Sequence, residues 1–315
     1  MTNTEPLLLI AFNRPDHFRQ LIERLRETKP QRIYIAVDGP REGDETDSVA
    51  VRDTRELVKQ IDWTDQIFTL FQENNLGCGL GVSTAISWFF SQEERGIILE
   101  DDILPRESFF EFCSELLDRY AGDPHVLAIS GCNFVPPEHL SEPTAYRFSR
   151  VPHIWGWATW RDKWAVHDLD ISDWRSRMSW RKLWEVSGHS VGGMVFWRSI
   201  FDLMANGKID TWDMQLVFAG MERDMLTATS NTNLVDNIGW GDGATHTTIR
   251  PDHVRPSSEI ELPTIPIPVV VDQKADAWSR ANVFGATTKG LVQQGIRYVR
   301  RGPQKLSIQT EDSWQ

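Results

Sequence analysis

The sequence predicts an α/β fold with a mostly parallel sheet flanked by helices. Short apolar runs of strand length alternate with segments of helical periodicity from residue 6 to residue 130. In chains of this pattern each helix carries the backbone back across the sheet, so that successive strands run parallel. With 315 residues, of which 40% are hydrophobic and 25% charged, the chain is long enough to bury a large core.

The predicted elements follow one another in a regular order. Strands are expected at residues 6–12, 32–40 (ending in a turn), 66–72, 96–103 and 125–130. Helices are expected at residues 17–28, 49–61 and 108–120, and a glycine-rich loop at 74–81 opens a further helix to residue 90. Each strand is followed by a turn or loop, which places loop residues at the strand ends.

Composition divides the chain into three stretches. Residues 1–135 carry the alternating pattern, and residues 136–250, with weaker strand signals, are expected to complete the same domain. Nine of the 14 tryptophans lie in residues 155–212. Residues 251–315 are expected to form a proline-rich strap and a C-terminal basic helix, since residues 287–310 carry five Lys or Arg and no acid. This helix is expected to dock on the body, with peripheral contact to an anionic membrane surface as the alternative.

Charge and cysteine content restrict the classes of partner. The net charge of −12 argues against nucleic-acid binding, although an acidic enzyme binds anionic substrates when a divalent cation lies between them. Cys78, Cys113 and Cys132 have neither disulfide nor zinc spacing, which favours a reducing compartment. No signal peptide or long apolar segment occurs. We therefore expect a cytoplasmic protein, with the inner membrane face as its candidate peripheral location.

Three consecutive acids end the fourth predicted strand. Glu100, Asp101 and Asp102 directly follow the apolar run 96–99. In an open α/β sheet, ligands bind beyond the carboxyl ends of the strands. The three carboxylates repel one another, and their oxygens suit Mg²⁺ or Mn²⁺ shared with substrate phosphates. An acidic strand-to-loop exit or a helix cap is the alternative interpretation.

Each of the first four predicted strands is followed by charged residues or glycines that could bind a ligand. Arg14 follows the first strand, Asp38 the second, the loop containing Gly77 and Gly79 the third, and the acids 100–102 the fourth. The glycine-rich loop alone matches no standard phosphate-binding motif, and a tight turn explains it equally well. Together, a basic residue, a carboxylate and metal-holding acids predict a nucleotide-diphosphate site.

These segments resemble the GT-A glycosyltransferases, which have a Rossmann-like sheet. The similarity lies in Leu-Leu-Leu-Ile-Ala-Phe-Asn-Arg-Pro at 7–15, Ile-Ala-Val-Asp-Gly at 35–39, Glu-Asp-Asp at 100–102 and Ser-Phe-Phe-Glu-Phe at 108–112. It is greatest to the N-acetylglucosaminyltransferase-I type, in which Glu-Asp-Asp is the variant of the usual Asp-x-Asp motif. The resemblance covers residues 6 to 135 well and is patchier after residue 150.

The resemblance implies a role for each matching residue. Arg14 would contact the donor diphosphate and Asp38 the base. Asp102 would be the direct metal ligand, with Glu100 near the sugar and Asp101 near the ribose or the water shell. Residues 1–135 would then be the nucleotide-sugar-binding half and residues 136–250 the acceptor-binding and catalytic half.

The later segments imply the remaining site residues. Trp212-Asp213 resembles a Trp-Asp pair whose acid is the catalytic base, although the family often shows two acids after the tryptophan and only one follows here. Asp242 is the second candidate for the base. Residues 239–246 resemble a late loop that closes over the donor, so His246 would approach the diphosphate or the metal.

The tryptophans suggest an acceptor surface. Trp155, Trp157 and Trp160 alternate with small residues, and their rings could stack on a sugar face. Core packing is the better single explanation for most of the tryptophans in this stretch.

The sequence therefore predicts a metal-dependent, inverting hexosyl- or N-acetylhexosaminyltransferase. The expected cofactor is Mn²⁺ or Mg²⁺, the donor a nucleotide-diphosphate sugar (a UDP-sugar favoured), and the acceptor a saccharide, free or lipid-linked, in surface glycan synthesis. One alternative is a sugar-1-phosphate nucleotidyltransferase, although Asn13-Arg14-Pro15 lacks the glycine-rich loop it needs after the first strand. The other is a non-catalytic carbohydrate-binding protein.

Overall fold

A mixed β-sheet flanked by helices organises the computed structural model, which describes residues 5–240, 250–262 and 265–287. Within these ranges the strands are Leu7–Ala11 (β1), Arg32–Val37 (β2), Gln66–Phe71 (β3), Arg95–Glu100 (β4), Ile103–Pro105 (β5), Val126–Ser130 (β6), Tyr146–Ser149 (β7), Trp157–Trp160 (β8), Leu226–Ser230 (β9) and Val235–Asn237 (β10). The main sheet has eight strands in the order β3-β2-β1-β4-β8-β6-β9-β7, and β10 pairs with β5 beside it. The predicted α/β class is confirmed.

Ten α-helices connect these strands in the described ranges. They are Pro15–Thr28 (α1), Glu45–Glu56 (α2), Gly77–Gln92 (α3), Glu107–Arg119 (α4), Arg161–Trp164 (α5), Trp174–Arg177 (α6), Trp180–Val186 (α7), Val191–Ala205 (α8), Asp213–Arg223 (α9) and Gln273–Asn282 (α10). None of them is both long and apolar enough to cross a membrane. The first four helices lie where the sequence predicts them, within a few residues at each end.

The sheet is parallel in its first half and mixed in its second. Strands β1 to β4 all run parallel, whereas β8 is antiparallel to both of its neighbours, β4 and β6. Alternate residues of β1 serve opposite faces. Leu7 and Leu9 pack in the core that includes α1 and α4, while Leu8 and Ile10 pack in the core that includes α3. Both faces are therefore covered, which explains the continuous apolar runs in the sequence.

The chain reverses direction across the sheet between β1 and β4. From β1 it moves outward to β2 and β3, and it then returns to β4 on the other side of β1. The helices that follow β1 and β4 consequently leave a crevice beyond their carboxyl ends, which is the usual ligand site of such folds. This arrangement brings the loop after β1 next to the acids that end β4.

The C-terminal stretch is described only in part. Residues 250–262, which belong to the predicted strap, contain no helix or strand. They are anchored by Glu259, which accepts hydrogen bonds from the backbone N–H of Ser108 (2.8 Å) and Glu107 (3.2 Å) at the start of α4. Helix α10 was not predicted. The predicted basic helix lies outside the described residues.

Candidate active site

A cavity of about 870 Å³ opens beyond the carboxyl ends of β1, β2 and β4. Its walls also include the start of α3, the C-terminal half of α8 and the start of α9. The residues from the sequence-predicted set that line it are Arg14, Asp38, Gly77, Glu100, Asp101, Asp102, Trp155 and Asp213. Side chains from both halves of the chain thus line the same cavity, although Arg14 and Asp213 are 199 positions apart in the sequence.

Arg14 is the positive partner that the three acids require. Its Nη2 donates to Asp101 Oδ1 at 2.5 Å, and its Nη1 donates to Asp102 Oδ2 at 2.9 Å. Asp101 is only 1% exposed and also accepts a long hydrogen bond from the Phe12 N–H. The carboxylate of Asp101 is therefore committed to holding Arg14, which differs from the ribose or water-shell role implied by the resemblance.

Glu100 is the carboxyl of the triplet that Arg14 does not bind. Burial raises the pKa of Glu100 to about 8, and the neighbouring carboxylates of Asp102 and Asp101 add to the shift. The charge of Asp213 contributes in the same direction. Among the described residues, none donates a hydrogen bond to the Glu100 carboxyl. Without a further cation Glu100 therefore keeps its proton at neutral pH, which means that one guanidinium does not balance the charge of three ionised carboxyls.

The donor set fits a divalent cation shared with a ligand better than a closed metal site. Among the described residues no group of three His, Cys, Asp or Glu side chains has the arrangement of a metal site. Asp102 nevertheless has a second carboxylate oxygen that is not engaged by Arg14, and Glu100 lies beside it. Mg²⁺ is commonly held by one or two carboxylates together with substrate phosphates. The residues present therefore fit such an ion in charge and donor type.

Gly239 packs directly on the Arg14–Asp102 pair. A Cβ atom at this position would lie 2.2 Å from Asp102 Oδ2 and 3.2 Å from Arg14 Nη1. The backbone can approach so closely only because glycine lacks a side chain. The start of the segment that resembles a donor-covering loop thus lies at the acids, whereas Asp242 and His246 lie outside the described residues.

Asp38 organises the loop after β3. Its carboxylate accepts from the backbone N–H of Leu76 at 3.0 Å, from Gly39 N–H at 2.8 Å and from Asn75 Nδ2 at 3.0 Å. Burial raises the pKa of Asp38, and these hydrogen bonds offset part of that shift. Asp38 lies at the cavity wall, as a base-contacting residue would, but its observed partners belong to the protein.

The glycine-rich loop is bound by a carboxylate of the protein itself. Asp210 accepts from the backbone N–H of Cys78 (3.1 Å) and Gly79 (2.9 Å) at the start of α3. Gly77 has φ +79°, and a Cβ at Gly77 or Gly79 would lie 2.7 or 2.6 Å from the Asp210 carboxylate. The glycines therefore serve a tight turn and a close approach by Asp210. The predicted contact of Gly79 with the donor is corrected, because its N–H is already paired.

Asp213 lies at the first position of α9 and lines the cavity, near enough to Glu100 for its charge to raise the pKa of Glu100. Its Oδ1 accepts from the Thr211 hydroxyl and from the Met214 N–H. Its Oδ2 has no hydrogen-bond or ionic partner within the described ranges. Burial raises the pKa of Asp213. A buried carboxylate with one free oxygen, facing a cavity and unpaired with a cation, is suited to accept a proton.

The structure separates the three tryptophans that were predicted to contact the acceptor. Trp157 and Trp160 are 2% and 4% exposed, because successive residues of β8 point to opposite faces of a sheet covered on both sides. The ring of Trp157 stacks on Trp212 with centroids 5.5 Å apart, and Trp160 Nε1 donates to a backbone carbonyl. Their predicted acceptor contact is wrong. Trp155 lines the cavity, where it meets Trp240 edge to face.

Two residues that line the cavity, Lys208 and Asn237, were not predicted from the sequence as ligand contacts. Lys208 is exposed at the cavity and forms no ion pair with any residue that the structure describes. Asn237 lines the same wall, and its side-chain oxygen accepts from the Gly239 N–H at 2.8 Å. No spacing or motif marks either residue, because each reaches the cavity from a loop or a short strand of the second half.

Comparisons with known proteins do not assign the chain to a family. No family model matches the sequence, and no curated protein matches it. The solved structures that match include HddC from Yersinia pseudotuberculosis, which is 11% identical over 50% of this chain and 78% of the other, with a TM-score of 0.31. A similarity at this level carries no conclusion about function.

Proposed function

We propose that the protein is a metal-dependent, inverting glycosyltransferase of the GT-A type. Its donor would be a nucleotide-diphosphate sugar, with a UDP-sugar favoured. Its acceptor would be a saccharide, either free or lipid-linked. The observation that supports it best is a single cavity at the switch point of the sheet. That cavity is lined by three acidic side chains with one arginine and by the buried carboxylate of Asp213.

The chemistry of sugar transfer matches these side chains. Positive charge develops at the anomeric carbon, and negative charge develops on the departing diphosphate. Arg14 would stabilise the departing negative charge from the β1–β4 side. A Mn²⁺ or Mg²⁺ ion held by Asp102 beside Glu100, with the diphosphate, would supply the positive charge that Arg14 alone does not.

Asp213 would remove the proton from the acceptor hydroxyl as it attacks. Its raised pKa makes it a better base than an exposed aspartate, and its free Oδ2 provides the receiving atom. The leaving group and the base would lie on opposite sides of the sugar, which gives inversion at the anomeric carbon. Asp242 stays the second candidate for this role.

Thermal-shift measurements with nucleotides test the donor side of the proposal. UDP, GDP, dTDP and CMP would each be added with and without Mn²⁺, because a ligand that binds the native state raises the melting temperature. We expect one nucleotide to raise it only with Mn²⁺. The rise should be lost in Asp102→Asn and kept in Asp65→Asn, which makes the same change at an exposed position before β3.

A product assay tests the reaction itself. The selected nucleotide-sugar, incubated with saccharide acceptors, should release nucleoside diphosphate and form a glycoside of inverted configuration. Absence of any nucleotide effect in folded protein would contradict the proposal. Release of pyrophosphate from a nucleoside triphosphate and a sugar 1-phosphate would instead identify a nucleotidyltransferase.

A further inference from the structure

Helices α7 and α8 leave four large apolar side chains exposed. Trp180 and Trp184 on α7 are 58% and 37% exposed, and Val191 and Val195 on α8 are 57% and 38% exposed. Each pair has i, i+4 spacing, so its members lie on the same side of their helix. Exposed apolar groups that cluster in this way usually mark an interaction surface.

The two pairs belong to one continuous surface. Helices α7 and α8 pack against each other, and the guanidinium of Arg198 lies 5.0 Å from the ring centroid of Trp180. Arg198 follows Val195 by three positions, which places it on the same side of α8. We call these five residues, Trp180, Trp184, Val191, Val195 and Arg198, the α7–α8 face.

The helix pair that carries this face is slightly positive in an acidic molecule. Helices α7 and α8 contain Arg181, Lys182 and Arg198 against Glu185 and Asp202, a net charge of +1, whereas the whole chain has a net charge of −12. Lys182 pairs with Asp224, and Arg198 lies 3.8 Å from Asp202. Arg181, next to Trp180, is exposed and forms no ion pair with another described residue.

We propose that the α7–α8 face binds the surface of an anionic lipid bilayer. Tryptophan favours the boundary between headgroups and acyl chains, where its ring is buried and its N–H stays hydrated. The neighbouring arginines would contact the acidic headgroups, and Val191 and Val195 would enter the acyl boundary. Exposed apolar side chains next to arginines are typical of protein surfaces that bind anionic bilayers.

The charge pattern favours a bilayer over two other occupants. A second copy joined through the same face would bring two Arg181 side chains together, and neither has an acidic partner among the described residues. The chain's own C-terminal segment starts nearby, since the Thr287 backbone lies against Gly192 in the first turn of α8. Residues 288–315, however, carry five basic and two acidic residues, so their charge has the same sign as the face.

The position of α8 links this surface to the cavity. Ile200 and Leu203 of the same helix line the cavity, roughly 13 Å or more along the helix axis from Val191. A bilayer on the α7–α8 face would therefore hold the cavity close to lipid headgroups. This link to a lipid-linked acceptor rests on the proposed function, whereas bilayer binding by the face does not.

Vesicle flotation with the full-length protein tests the proposal. The vesicles would be phosphatidylcholine alone or phosphatidylcholine with one third phosphatidylglycerol. We expect binding to the anionic vesicles only, weakening as NaCl rises from about 0.1 to about 0.5 M. Trp180→Ser/Val191→Ser and Arg181→Glu should each reduce the partition coefficient by about tenfold.

Matched variants on other elements serve as controls. Val49→Ser/Val270→Ser changes two valines of 47% and 66% exposure, and Arg52→Glu repeats the charge reversal on α2. Neither should alter vesicle binding. Binding that persists in both face variants would place the membrane contact elsewhere and overturn the proposal.

Two further outcomes would assign the face to another occupant. A concentration-dependent dimer of the wild type, seen by light scattering and lost in Trp180→Ser/Val191→Ser, would identify a second copy. A lower melting temperature of that variant, without vesicle binding by the wild type, would identify the chain's own C-terminal segment. Nucleotide thermal shifts in the face variants should equal the wild-type values, which separates this test from that of the proposed function.

Discussion

At the scale of single residues, Asp213 gives the sharpest test of the catalytic proposal. We expect Asp213→Asn to reduce transfer by roughly 10²- to 10⁴-fold, the usual contribution of a general base. Donor binding, measured by thermal shift, should persist because the amide keeps the shape of the side chain. The amide oxygen can still accept from Thr211 and Met214.

The same variant should change stability in a direction set by the pKa of Asp213. Burial raises this pKa, so the folded state disfavours the ionised carboxylate and stability falls as the pH rises through the folded pKa. Asp213→Asn should therefore melt at a higher temperature than the wild type at neutral pH, and the difference should vanish in acid. Full activity in Asp213→Asn would assign the base to another residue.

His153 should make the protein sensitive to acid. Burial lowers the pKa of His153 to about 3, with further contributions from Arg147 and His253. The unfolded chain binds a proton at an ordinary histidine pKa, so stability is complete at neutral pH and falls as the pH drops. At pH 5 this loss is on the order of 2 kcal/mol. Urea unfolding at pH 7.5 and pH 5 measures it.

His153→Phe should remove this part of the acid sensitivity. Among the described residues, none forms a hydrogen bond with the buried Nε2 of His153. The ring of His153 packs edge to face on Phe134 with centroids 4.9 Å apart, a contact that phenylalanine preserves. His125→Gln, at an exposed position, should keep the wild-type difference between the two pH values. An undiminished acid effect in His153→Phe would show that other groups cause it.

Single residues were predictable where a strand end fixed their position. Arg14 and the acids 100–102 follow apolar runs directly, and the sheet brings them within hydrogen-bond distance. Core packing was the better explanation for most of the tryptophans, but Trp157 could not be assigned individually, because its neighbours in the sheet come from distant parts of the chain. Lys208 reaches the cavity from a loop, and no local pattern indicates where a loop residue will lie.

At the scale of elements, Asp210 should couple the start of α3 to the α8–α9 loop. Asp210→Ala removes two hydrogen bonds to the first turn of α3 and should destabilise the protein by about 1 kcal/mol, as loss of a helix cap does. Gly79→Ala should destabilise it by about 1–3 kcal/mol, because the new methyl would overlap the Asp210 carboxylate.

A double-mutant cycle isolates this coupling. In Asp210→Ala/Gly79→Ala the overlapping carboxylate is absent, although the Thr211 carbonyl still lies 3.0 Å from the new methyl. We expect the double variant to be less destabilised than the sum of the single variants by at least about 0.5 kcal/mol. Strict additivity in urea unfolding would mean that the two elements do not interact through Asp210.

Elements were predicted well in the first half and poorly in the second for a physical reason. In the first half, local periodicity and short loops define each strand and helix, and β1, β2 and β3 pair in chain order. Strand β8 has four residues, three of which are Trp or Thr, and it pairs with β4 and β6 across gaps of about 60 and about 30 positions. Long-range pairing of so short a strand leaves no local signal.

At the scale of the whole molecule, the two halves should fold as one cooperative unit. Strand β8 fills the gap between β4 and β6, so residues 1–135 alone would leave β4 with an open edge. Strand β6 would lose both of its neighbours, β8 and β9. A sheet interrupted in this way exposes unpaired backbone groups and apolar side chains to water.

We therefore expect a fragment of residues 1–135 to lack a cooperative thermal transition, whereas the full chain unfolds in one step. Near-ultraviolet and far-ultraviolet circular dichroism of the full chain should give coincident transitions, because separate domains would melt apart. Co-expression with residues 136–315 should restore a folded complex, since β8 and β9 would then be available to complete the sheet. A fragment 1–135 that melts cooperatively by itself would show that β1 to β4 form an independent domain, and the cavity would then lie between two separable units.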